Sequence, residues 1–156
     1  MDVKLVNPFI ESFLTVMPQL GFSDIKKHGV SIKDKKLKSI GVMIILGIVG
    51  NIKGNVVYGM NIESAKKIAS KMMMGMPVNE LDDMAQSAIS ELSNMVTANA
   101  SMNFSNIGIN TNISTPTLMY GKDFEVKMNA DKVLCVGILV DNIPIEINIA
   151  FDKIIQ

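Results

Sequence analysis

Apolar residues at helical spacing open the chain. Phe9, Ile10, Phe13, Leu14 and Met17 recur three and four positions apart, which predicts a helix with one apolar stripe. Asn7 before Pro8 suits its start, because Asn accepts from the free amides of a first turn and Pro tolerates that turn. Pro18 and Gly21 end it. Residues 25–32 then read as a strand and the Lys/Asp-rich stretch 33–38 as a turn. Two longer strands follow, 39–49 and 54–60, joined through Gly50-Asn51-Ile52-Lys53. A second such pair lies near the other end: 132–140, the turn Asp141-Asn142, and 143–151.

The two pairs align at a constant offset. Gly47-Ile48-Val49-Gly50-Asn51-Ile52 corresponds to Ile138-Leu139-Val140-Asp141-Asn142-Ile143, and Val56, Tyr58 and Met60 correspond to Ile147, Ile149 and Phe151. Alternate positions are apolar in both copies, as in a sheet with one buried face. This predicts a degenerate internal duplication of a helix-plus-strands unit. Two helices fill the interval. Asn61 caps the first, with Glu63 in its first turn and Ile62, Ala65, Ile68 and Met72 on one side; it ends near Met74-Gly75. The second runs over 79–102, with Asn79 as its cap and Glu80, Asp82 and Asp83 at its positive end. Its apolar face is Leu81, Met84, Ala85, Ala88, Leu92, Met95 and Val96. The fold class is therefore α+β, an antiparallel sheet packed with long helices.

Composition narrows the function classes. A chain of 156 residues fits one domain, 1–156. Lys+Arg and Asp+Glu both number 15, and aromatics are only 5%. Nucleic acid is a poor partner for such a chain, since phosphate binding needs excess positive charge and base stacking needs aromatic faces. The lone Cys135 sits in the apolar run 133–140, where a buried, inert thiol is expected. The lone His28, in Lys26-Lys27-His28, lacks a second His for a metal site and reads as solvated. Met1-Asp2-Val3-Lys4 does not open a signal peptide. The most apolar stretch, 40–49, is far shorter than the roughly 20 residues of a membrane span. The expectation is a cytoplasmic protein with no membrane segment. Among 13 Met residues, Met73, Met74 and Met76 cluster at a helix end, where core filling is expected and an adaptable contact surface is the alternative.

The chemistry concentrates on the long helix. At 100° per residue, Ser87, Glu91, Asn94 and Ala98 form a narrow stripe beside the apolar face. It carries one carboxylate, one carboxamide and two small residues that let another protein's surface come close. Glu-x-x-Asn alone is common on solvated helix edges. Here, however, Ser87-x3-Glu91-x2-Asn94 is followed after 21 residues by Pro116. Composition alone yields that spacing at roughly the per-thousand level.

This pattern resembles the signature of the CheC/CheX/FliY phosphatases: Asp or Ser, x3, Glu, x2, Asn, x21, Pro. Asn7-Pro8-Phe9, Leu81-Asp82-Asp83-Met84-Ala85 and Ala98-Asn99-Ala100 are similar to CheX sequences too, so the resemblance covers essentially the whole chain. It implies a CheC-like fold and hydrolysis of the phosphoaspartate of a CheY-type response regulator. The family implies that Glu91 pairs with the regulator's active-site Lys. Asn94, able to donate and accept but not to act as a base, is suited to place the attacking water. Ser87 is expected to hold a local hydrogen bond, Ala98 to leave room, and Pro116 to fix a loop near the helix. No cofactor of its own is implied; Mg²⁺ belongs to the phosphorylated partner. Relatives of the CheC type carry two such helices, but here the first helix has Glu11 and then Leu14 where the Asn would fall, so one site is expected. The resemblance also implies a homodimer. Two other readings stay open: a non-catalytic module of the same fold that recognises a receiver or a flagellar switch partner, and a purely structural, strand-paired homodimer.

Overall fold

The computed structural model describes residues 3–154; Met1-Asp2, read above for a leader, lie outside them. A short 3-10 turn, Val3–Leu5, leads into α1 (Asn7–Gln19). Then come β1 (Ile25–Lys38), β2 (Val42–Gly50), β3 (Ile52–Met60), α2 (Ile62–Met72), α3 (Asp83–Asn106), β4 (Thr111–Ile113), β5 (Thr117–Tyr120), β6 (Glu125–Val140) and β7 (Ile143–Ile154). The strands form one antiparallel sheet in the order β1-β6-β7-β3-β2-β4, with β5 also on β2.

The expected hairpins β2–β3 and β6–β7 meet at the middle of this sheet, where β3 pairs with β7. The register there places Val57 opposite Asn148. These two residues are separated by the same 91 positions that relate Gly47 to Ile138. A pseudo-twofold axis therefore passes between a residue and its own counterpart, as the internal duplication requires.

Alternation sorts the strands into two faces. Ile44, Leu46, Val56, Tyr58, Val136, Ile138, Ile147 and Ile149 point to one side, where all three helices cover them. Phe9 of α1 packs edge-on to Phe104 of α3, with centroids 5.7 Å apart, and stacks on Phe151 of β7 at 6.5 Å. On the other face the ribbon of late β1 and early β6 curls back, so that Leu37, Val126 and Met128 pack with Met43, Val57 and Ala150.

Several boundaries differ from the sequence reading: β6, expected from 132, begins at Glu125, where it pairs with late β1, and α3, expected to end at 102, runs on to Asn106. Residues 33–38 are not a turn but the second half of β1. That strand lies at the sheet edge, where alternate Lys side chains stay solvated and guard the free backbone while Leu37 is buried. The first hairpin is tighter than expected, since Ile52 enters the core and begins β3, and Ser39 and Gly41 form a bend before β2. Asn7 does not cap α1; the chain arrives already helical at Val6, which makes no side-chain cap. Asn79 does not cap α3. Asp82 does, accepting from the Ala85 amide at 2.9 Å, and Gln86 Nε2 donates back to the Leu81 carbonyl at 2.7 Å. Asn61 caps α2 as expected, accepting from Ser64 N at 2.7 Å.

Candidate active site on the long helix

Three polar contacts fix α3 on three of its sides. Toward the sheet, the buried Tyr58 hydroxyl hydrogen-bonds with Thr97 Oγ1 at 2.8 Å, and Thr97 Oγ1 donates to the Ser93 carbonyl at 2.7 Å. Toward α1, Asn103 Nδ2 donates to the Pro8 carbonyl at 3.0 Å. Toward β4, Ser101 Oγ donates to the Thr111 carbonyl at 3.1 Å. The apolar side chains Ala85, Ile89, Leu92, Val96, Ala100 and Phe104 complete the anchoring face.

The remaining side looks outward. Ser87, Glu91 and Ala98 are exposed and Asn94 is half-buried. The structure thus brings the expected stripe together on one rigid helix. Neither the Glu91 carboxylate nor the Asn94 carboxamide has a hydrogen-bond or ion-pair partner among the described residues. Two functional groups one turn apart are free to engage another molecule. The Ser87 hydroxyl likewise makes no hydrogen bond among the described residues, so the local bond expected of it is absent. Pro116 lies in the short link between β4 and β5, half-buried beside strands that α3 packs against.

The buried face of α3 is rotated from the expected one. Met84, assigned to the core, is 62% exposed, and Ile89, Ser93 and Thr97 are buried instead. Met74 and Met76 are exposed rather than core-filling. The Tyr58–Thr97 bond was missed altogether. Its only trace in the sequence is two hydroxyl residues, Ser93 and Thr97, four apart on the face that points to the sheet. Burial holds the Tyr58 phenol far above its ordinary range, with the Thr97 hydrogen bond pulling weakly the other way, so it stays neutral.

Cys135 is buried, and burial followed by the nearby Glu146 carboxylate pushes its thiol up, away from reactivity. His28 is exposed. Among the described residues no group of three or more His, Cys, Asp or Glu could hold a metal ion. No helix among them is long and apolar enough to cross a membrane.

A duplicated antiparallel sheet with paired helices on one face and an outward Glu–Asn stripe defines a protein of the CheC-like class. The CheC-like superfamily protein of Shewanella sp. PV-4 superposes with a TM-score of 0.85 at 26% identity, covering 98% of this chain and 100% of that one. The family described as chemotaxis phosphatase CheX matches residues 42–139. The CheY-P phosphatase CheX of Thermotoga maritima is 33% identical over 128 residues, which span 81% of this chain and 82% of that protein. The chain belongs to the CheX family of chemotaxis phosphatases. The CheX of the CheX–CheY–BeF3–Mg²⁺ complex from Borrelia burgdorferi is similar as well, with a TM-score of 0.79 at 26% identity over 97% of this chain and 100% of that one.

Proposed function

We propose that this chain hydrolyses the phosphoaspartate of a CheY-type response regulator in the cytoplasm, with Asn94 placing the attacking water and Glu91 docking on the regulator's active-site Lys. The observation that carries this reading is the pair of unpartnered groups, Glu91 and Asn94, on the one open side of a helix fixed on its other sides.

Phosphoryl transfer asks little covalent chemistry of the protein that promotes it; positioning and charge stabilisation dominate. A carboxamide held by a rigid helix meets that need, because it accepts from a water proton and donates to a phosphoryl oxygen at once. Glu91 is unsuited to approach the phosphoryl group itself. Two like charges about 4 Å apart repel by about 4 kcal/mol at the effective dielectric of a protein surface. Its carboxylate belongs on a cation, and a Lys beside the phosphoryl group supplies one. Ser87 and Ala98 leave the approach open, and Pro116 stiffens the link beside the helix. The metal in this reading is the partner's. The Borrelia complex holds Mg²⁺ together with BeF3, a stand-in for the phosphoryl group.

The reading includes a homodimer. β1 is the terminal strand of the sheet, with a free edge and with Val30 and Ile32 exposed.

The decisive test times phosphate release from a phosphorylated receiver with wild type and Asn94→Ala. The variant is expected to lose about 100-fold or more in turnover, the scale of losing one positioned polar group. Its affinity for a BeF3-loaded receiver should change little. Retained turnover defeats the role given to Asn94. Wild type that binds the receiver without releasing phosphate is instead a binding module.

A further inference from the structure

We propose that Met84 and Met102 are apolar anchors with which α3 holds the rim of its receiver, setting affinity for that partner separately from the chemistry between them. The inference rests on the phosphatase reading above. Both side chains are exposed, Met84 by 62% and Met102 by 65%, although α3 has a full apolar face elsewhere. They stand eighteen positions apart, which is five whole helical turns and about 27 Å along the axis. They therefore share one azimuth, and Glu91 lies within about 20° of it. Their midpoint is Ser93, next to Asn94. Along the axis Asn94 lies about 15 Å from Met84 and about 12 Å from Met102, and about 80° round the helix from both.

That spacing matches one partner of receiver size. A standard interface buries about 800 Å² on each side, a patch about 30 Å across. A receiver centred over Asn94 covers both Met side chains, whereas a smaller ligand at Asn94 would reach neither. Between them the outward side carries Ser87, Glu91, Asn94 and Ala98, and Met95, also near that azimuth, is half-buried. The two exposed Met side chains stand out at either end of the helix, beyond the half-buried Met95 at its centre. Met is unbranched and fits irregular surfaces. Apolar contact at the rim leaves charge recognition to Glu91, which works only when the phosphorylated site is beneath it.

The test uses Met84→Gln, Met102→Gln and the double variant. Gln keeps the length and the helix propensity of Met while removing its apolar surface. Dephosphorylation is followed over a range of phosphorylated receiver concentrations, and affinity is measured for the BeF3-loaded receiver. The double variant is expected to raise both KM and Kd about tenfold, with kcat within about twofold of wild type and an unchanged thermal unfolding midpoint. Wild-type turnover combined with unchanged KM and Kd in the double variant overturns the anchors alone. So does a fall in kcat at constant KM. A wild-type protein that neither binds nor dephosphorylates any receiver overturns the phosphatase reading, and the anchors with it.

Discussion

At the scale of single residues, chemistry and stability fall to different groups. Glu91 is exposed and supports nothing within the fold, so Glu91→Ala is expected to leave unfolding unchanged while raising KM and lowering turnover. Unchanged kinetic constants in that variant would remove Glu91 from the site. Tyr58 is the opposite case, fully committed to the fold. Its phenol is held above its ordinary range by burial, so its contribution is whole below the unfolded pKa of about 10. As pH rises past that value the unfolded phenol ionises and the folded one does not. Stability then drops by about 1.4 kcal/mol for each further pH unit, until the folded phenol titrates in turn. Tyr58→Phe is expected to cost about 1 kcal/mol at neutral pH and to flatten this alkaline decline. Thermal unfolding of both proteins between neutral pH and about pH 11 checks the sign.

At the scale of elements, legibility followed the strength of local signals. The two hairpins and the Asn61 cap could be read because alternating apolar runs and a single capping candidate point one way. The start of α3 could not, because Asn79, Asp82 and Asp83 compete within five positions and only tertiary packing chooses Asp82. β4 and β5 are three and four residues long, rich in Thr and Asn, and exist because β2 offers an edge to pair with. The late half of β1 hid behind its lysines, whose charge marks an exposed edge as readily as a turn. The candidate stripe was legible in full, since a spacing of three and four fixes azimuth on any helix. Which neighbours are buried was not, and Met84 fell on the wrong side for that reason. The cap has its own prediction. Asp82→Ala is expected to cost about 1 kcal/mol and to fray the first turn. Glu91 stands two turns further in, so turnover should survive. A melting curve paired with the phosphatase assay separates the two effects.

At the scale of the whole molecule, the sheet has two unlike ends. The β2 end is covered by the short strands β4 and β5, whereas β1 ends the sheet with an open backbone edge. If β1 carries the homodimer, sedimentation at micromolar concentration should give twice the monomer mass; a monomer there removes the dimer from the reading. The pseudo-twofold between Val57 and Asn148 reaches further. It gives α1 a position equivalent to that of α3, and on α1 Glu11 is exposed and Leu14 is 52% exposed. Leu14 stands where the resemblance would put a second carboxamide, and about half of its surface is open. A polar substitution there is expected to cost the fold little. A duplicated frame of this kind leaves one of two equivalent positions open to change without disturbing the other.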